Sequence, residues 1–240
     1  MTEEEYPPLT IVLLTYSESV TGPRARYAKR TLEAVRENLR YSGPIYLHIA
    51  DDGSPSEHVK KLIKLTEGWD LAGYTVSNSK RAGYGANWNI ATQFFHPRSG
   101  IVLPLEDDWE LPKPLSIDGY VRTLTTPEAG INCIRLGYLG FTNPLFGVLR
   151  RHGGITYLLL DADSPETHVC SGHPRLETVP WERAVGPWDE GHDPGWTERL
   201  WCERRQARMG IAWPMDAPTW GTFAHIGTVQ AREDQREPVA

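Results

Sequence analysis

An α/β fold built on a mostly parallel sheet flanked by helices is what the first half of the sequence predicts, from three observations. Short apolar runs rich in β-branched residues alternate with amphipathic stretches over residues 9–110. The connections between the runs are long enough for the crossovers that parallel pairing needs. Acids and glycine follow the ends of the runs, where open parallel sheets bind their ligands.

The elements follow in order. Residues 9–16, LTIVLLTY, are a continuous apolar run and suit a strand buried on both faces. Residues 27–41 place Leu32, Val35 and Leu39 on one helical face, and Ser42, Gly43 and Pro44 stop that helix. IYLHIADDGS is a second strand ending in acids and glycine. SEHVKKLIKLTEG is a helix with Ser56 as its cap and Val59, Leu62 and Ile63 inward. GYTVSNS is a third strand. GANWNIATQFF is a helix with Ile90, Ala91, Phe94 and Phe95 on one side, and GIVLPLED is a fourth strand. Beyond residue 112 the pattern is irregular, rich in Pro, Gly and Trp. One late helix stands out there, with Asp193 as N-cap, Pro194 at its first position and Gly210 past its end. Tails are expected at 1–8 and 229–240. Between them a single domain divides into residues 9–115, with the ligand edge, and 116–228.

Bulk properties exclude several classes. The 240 residues are 40% hydrophobic and 23% charged, a globular composition. A net charge of −6 disfavours a strong grip on nucleic acid. Cys133, Cys170 and Cys202 have neither zinc-site nor disulfide-framework spacing. No apolar run approaches the roughly 20 residues of a membrane span. The acidic N-terminus has no signal-peptide core. A soluble, cytoplasmic protein is expected.

Four stretches carry chemistry. In EDDWELP, Glu106, Asp107 and Asp108 end a buried run, and such carboxylates suit a hard divalent cation, Mn2+ or Mg2+. A solvated acidic turn is the plainer alternative. In ADDGSPSEH, Asp51 and Asp52 can accept from a base or ribose, although Asp-Gly-Ser is also turn chemistry. In SKRAGYGANWN, glycines precede a helix start and Lys80 and Arg81 add charge, which suits phosphate. Gly83 and Gly85 alone are too short for a dinucleotide fingerprint. Late in the chain stand Asp189, Glu190, Asp193 and Glu198, with His173, His192 and His225. Trp181, Trp188, Trp196 and Trp220 are candidates for stacking on a sugar or aromatic acceptor, or for the core.

In order and spacing these pieces resemble the family 2-like nucleotide-sugar glycosyltransferases of GT-A, Rossmann-like fold. The matching residues are Thr15-Tyr16, Asp51-Asp52-Gly53-Ser54, Gly83 to Asn89, and Glu106-Asp107-Asp108 with Pro112, covering about residues 9–115. VGPWDEG resembles the family's later turn. Glu198, six residues before Arg204, stands where the family has its acidic base, with Thr197 in place of the usual preceding Glu. Leu105 stands where a strict Asp-x-Asp would begin.

The resemblance implies a sugar moved from a nucleoside-diphosphate sugar, with a UDP-sugar the expected donor, to the hydroxyl of an unidentified acceptor, with inversion. Thr15, Tyr16, Asp52, Arg81, Gly83, Gly85, Asn89, Glu106 and Asp107 are the expected donor-binding residues. Asp107 and Asp108 are favoured as metal ligands, with His225 completing the site. Glu198 is the expected base, held ionised by a helix start that lowers its pKa, with Asp189 and Glu190 next. Residues 116–228 would bind the acceptor. A nucleotidyltransferase, a glycoside hydrolase and a non-catalytic nucleotide-sugar-binding module are the competing classes. Pyrophosphate release, metal-free activity without nucleotide, and binding without turnover respectively would mark them.

Overall fold

The computed structural model describes residues 6–137, 139, 143–170, 172–215 and 221–227. The four expected strands form: β1 (Leu9–Thr15), β2 (Ile45–Asp51), β3 (Gly73–Asn78) and β4 (Ile101–Glu106). All are paired parallel, in the order β3-β2-β1-β4.

The later half is more regular than expected. It adds β5 (Cys133–Arg135), β6 (Gly147–His152), β7 (Ile155–Leu160), β8 (Arg175–Thr178) and β9 (Ile211–Pro214), completing a nine-stranded sheet, β3-β2-β1-β4-β8-β5-β9-β7-β6. This part is mixed: β8 runs antiparallel to both β4 and β5, β9 parallel to β5, and β7 antiparallel to β9 and β6. β5, β8 and β9, of three or four residues, leave too little period-two pattern to read from sequence, and β6 lies mostly exposed at the sheet edge.

Alternation along the parallel strands sorts two cores. Ile11, Leu13, Leu47, Ile49, Leu103 and Leu105 face one layer, with helices α1 (Pro23–Asn38), α2 (Ser56–Leu65) and α4 (Asp118–Thr125). Val12, Leu14, Ala50 and Val102 face the other, with α3 (Tyr84–Ala91), α5 (Val179–Val185) and α6 (Pro194–Glu203). In that second layer Trp88, Trp181, Trp188 and Trp201 are buried. Arg175 and Glu177, both buried, pair at 2.6 Å within it. The Glu182 carboxylate accepts from the indoles of Trp88 (2.6 Å) and Trp188 (3.1 Å). Trp181 and Trp188 are therefore core residues and not stacking surfaces. Trp196 is exposed, and Trp220 lies outside the described residues.

Several boundaries shift. Helix α1 starts at Pro23, four residues early, because Gly22 is extended and proline suits the first helical position. Ser56 does not cap α2: Pro55 holds the cap position and no side chain bonds there. Helix α3 stops at Ala91 and buries Gly85, Ala86, Asn87, Trp88 and Ala91; of the two phenylalanines beyond it, Phe95 is buried and Phe94 is 39% exposed. The Asp193 cap of α6 forms, its carboxylate accepting from the Trp196 amide at 3.1 Å. The helix ends at Glu203, short of Gly210, and passes into a 3-10 turn. Tyr6 packs edge-on against Tyr41, within the stretch expected as a tail. Residues 1–5 and 228–240 lie outside the described residues.

Candidate active site

Parallel pairing brings four strand ends to one edge. Thr15 lies opposite Asp51, Asp51 opposite Asn78, and Leu14 opposite Glu106. At the end of β2, one Asp51 oxygen accepts from the amides of Gly53 (3.0 Å) and Ser54 (2.8 Å) and from Asn78 Nδ2 (2.8 Å). The turn needs glycine at 53: its φ is +92°, and a Cβ would press on the Arg81 amide.

Asp52 accepts from the amides of Ala82 (2.7 Å) and Gly83 (3.1 Å), one on each oxygen. Burial pushes its carboxyl up, and those two N–H groups pull it back. The following loop is thus tied to β2, with the Arg81 guanidinium 3.2 Å from the centre of the Tyr16 ring. The 82 and 83 amides point at Asp52, so Gly83 does not offer its N–H to a phosphate. A carboxylate oxygen has two lone pairs, and Asp52 keeps acceptor capacity toward a nucleoside.

The acids after β4 are held from several sides. Asp107 is fully buried. One oxygen accepts from Thr15 Oγ1 (2.9 Å) and the Tyr16 amide (3.2 Å), and the other from Arg24. Burial pushes it up to about 7, although Arg24 pulls down. Asp108 accepts from Arg24 Nη1 at 3.1 Å, and the same oxygen faces His225 Nε2 at 3.4 Å. Its other oxygen, Oδ1, is buried with no hydrogen-bond partner. Burial would raise the Asp108 carboxyl, but His225 and Arg24 outweigh it and hold it below the usual range. Residues Ala224–His225 pair with Trp109–Glu110, which brings His225 to this edge.

Glu106 and Glu198 meet beside them. A Cβ on Gly172 would collide with Glu106 Oε1, Tyr84 Oη and Glu198 Oε1, so side chains of β4, α3 and α6 converge on one point. The Gly172 amide donates to Glu198 at 2.7 Å, and the Tyr84 hydroxyl donates to Glu106. Burial, then Glu198 and Asp108, push Glu106 well above its usual value. Glu198 is pushed up to about 7 by burial, against the Gly172 N–H, Arg135 and Arg175. The expected lowering by the helix start fails. Glu198 is the fifth residue of α6, and the helix-end field fades within the first turn.

Other expected residues serve the scaffold. A Cβ at Gly85 would overlap the Asp189 carbonyl oxygen, so Gly85 lets α3 lie on the 188–190 turn and does not approach a phosphate. The Asn89 amide is taken by Trp188 O (2.9 Å), Trp188 N (2.8 Å) and Glu190 (2.8 Å), which removes it from donor binding. Asp189 pairs with Arg204 at 2.7 Å, and Glu190 is exposed beside Asn89. Of the three base candidates, Glu198 is the one that reaches the acids. Thr15 positions Asp107. His173 is half-buried, accepts from Arg135 at 2.9 Å and is held neutral.

Sequence reasoning missed Tyr84, Gly172 and Arg24. A signal existed for Arg24: a cation in the first turn of α1 opposes the positive helix end, which implies an acidic partner. Nothing local marks the other two.

Among the described residues no three His, Cys, Asp or Glu side chains form a metal cage. Both Asp107 oxygens are engaged, Oδ1 by Arg24 alone, so Asp107 would serve as a ligand only by sharing or giving up that contact. Asp108 Oδ1 and His225 do fit a hard cation of the kind that takes one or two protein ligands and completes its shell with substrate phosphates and water.

The edge and the sheet order together define the GT-A fold. Among solved structures the chain is similar to S. aureus TarS 1–349 in complex with UDP-GlcNAc, at TM-score 0.59 and 13% identity, over 87% of this chain and 56% of that one. It is similar to the mannosyltransferase PcManGT from Pyrobaculum calidifontis, in complex with GDP-Man and Mn2+, at 0.52 and 16%, over 81% and 51%. GalNAc-T7 with UDP, GalNAc and Mn2+ gives 0.51 and 16%, over 88% and 43%. The chain thus spans about half the length of these proteins. No protein-family model matches it, and no curated protein matches it in sequence. No described helix is long and apolar enough to cross a membrane.

Proposed function

We propose that the protein is a glycosyltransferase that moves a sugar from a nucleoside-diphosphate sugar to an acceptor hydroxyl, with inversion and with Mn2+ or Mg2+. The observation that carries this reading is the convergence of Glu198, from the later half, on Glu106, Tyr84 and Gly172 beside Asp107-Asp108. The complexes of TarS with UDP-GlcNAc, PcManGT with GDP-Man and Mn2+, and GalNAc-T7 with UDP and Mn2+ support the donor and metal classes. A UDP-sugar is the favoured donor.

In this reading residues 9–115 hold the donor and residues 116–228 supply the acceptor side. Tyr16 and Arg81 cover the nucleoside, and Asp52 accepts from it. Asp108 and His225 hold the divalent ion, which when bound supplies Lewis-acid charge to the leaving diphosphate. Glu198 takes the proton of the acceptor hydroxyl, and a pKa near 7 suits a base working at neutral pH. Glu106 and Tyr84 fix its surroundings.

The test is a panel of UDP- and GDP-sugars with Mn2+, Mg2+ or chelator, reading nucleoside diphosphate release and nucleotide affinity. Metal-dependent release, lost in Asp108→Asn with the fold intact, is expected. Pyrophosphate release from a nucleoside triphosphate, or full activity in chelator, would overturn the reading.

A further inference from the structure

The Asp107-Asp108 pair already has a cation. Arg24 bridges it, one guanidinium nitrogen on each carboxylate, with its side chain 13% exposed. The pair cannot turn away: Thr15 and the Tyr16 amide hold the Asp107 side chain, Thr31 holds the Asp107 carbonyl at 3.0 Å, and the Ile226 amide holds the Asp108 carbonyl at 2.8 Å. The helix end that carries Arg24 disfavours a cation, so the acids are what keep it there. Asp108 is at the same time half of the metal pair, with Oδ1 unpartnered and His225 alongside. A dication entering there meets a guanidinium on the same carboxylate, and the two repel across a few ångströms of poorly hydrated space. Guanidinium binds phosphate in the same two-pronged way as carboxylate, so a diphosphate arriving at this edge can take it over.

We propose that Arg24 is a resident counter-cation that competes with the divalent ion for Asp108, and that the diphosphate of the nucleotide releases it. Metal binding is then conditional on nucleotide, and Arg24 changes from a partner of the acids to a partner of the phosphates. The proposal rests on the reading of this edge as a metal and nucleotide-sugar site.

The experiment is a calorimetric titration of Mn2+ into the wild type, Arg24→Gln and Arg24→Lys, first without nucleotide and then with saturating UDP. Thermal unfolding serves as the check on folding. Without nucleotide, Arg24→Gln binds Mn2+ about 10-fold more tightly than the wild type, a typical size for coupling between ligands. Arg24→Lys, which keeps the charge but cannot bridge both acids, falls between. UDP tightens Mn2+ binding in the wild type, and tightens it much less in Arg24→Gln. Adding Asp108→Asn to Arg24→Gln abolishes the gained affinity. Equal Mn2+ affinity of the wild type and Arg24→Gln without nucleotide overturns the competition, as does gained affinity that survives Asp108→Asn. Equal strengthening by UDP in both overturns the release. Failure of UDP and GDP to bind with or without Mn2+ overturns the functional reading itself, while the nucleotide-free titration still decides the competition.

Discussion

Glu198 is where sequence position and environment disagree most usefully. Its place in the chain marks it as a candidate base, while burial among Glu106, Tyr84 and Gly172 sets its proton affinity near neutrality. A base must be ionised to accept a proton, so transfer should rise as pH climbs through about 7 and level off above it. Glu198→Gln should keep nucleotide affinity, lose transfer by roughly 10²-fold or more, and show no such rise. Parallel kinetics and nucleotide titrations check this. A near wild-type rate in the variant would pass the role to Asp189 or Glu190. At this scale residue types were legible and partners were not. Asp107, Asp108 and Glu198 stand out in the sequence, but that Asp107 is held by Thr15, Tyr16 and Arg24 depends on residues more than eighty positions away.

Elements decide which of these residues can act. Helix α6 carries Glu198, and its start is fixed by the Asp193 cap. Asp193→Ala should cost about 1 kcal/mol of stability, the usual worth of such a cap, read from chemical denaturation. Preserved stability in that variant would show that tertiary packing alone holds the helix. Where α3 approaches the 188–190 turn, Gly85 leaves no room for a side chain. Gly85→Ala should destabilise by about 1–3 kcal/mol, the usual range for overpacking. It should also weaken the Asn89 clamp, seen as faster amide exchange at Trp188, whose N–H that side chain accepts. A stable variant with unchanged exchange would mean the turn yields freely. These contacts recast the Gly-rich stretch from a phosphate cradle to a packing seam, which a GxG spacing cannot distinguish.

Across the whole molecule, two core layers enclose polar groups whose ionisation is linked to folding. His48 is fully buried on β2, bonded to Thr75 (2.8 Å) and Ser77 (3.1 Å) and stacked on Phe94. Burial lowers its pKa from 6.5 to about 4. The unfolded chain therefore takes the proton first. His48's contribution to stability is complete above about pH 6.5 and is lost as pH falls from there toward 4. His48→Gln should flatten that part of the stability-against-pH curve, measured by urea unfolding between pH 4 and 7. An identical slope in both proteins would place the acid sensitivity elsewhere.

The sequence by itself determined the parallel half of the sheet, because strands buried on both faces are mainly apolar and helices between them are amphipathic. It also determined that acids would gather at one edge, because parallel strands all end on the same side. The Asp193 cap was legible for the same reason: a cap is a contact within a few residues. The tertiary structure decided the rest. Strands β5, β8 and β9 are too short to show a pattern until a sheet edge accepts them. The partners of Asp52 and Gly85, and two of the three of Asn89, are backbone groups, which carry no residue identity to read. Arg24 reaches the acid pair from the first turn of a crossover helix more than eighty positions away in sequence, and Glu198 gains its pKa from neighbours brought together by folding. Charge, desolvation and close approach act through space, and the order of residues along a chain records that only where the contact is local.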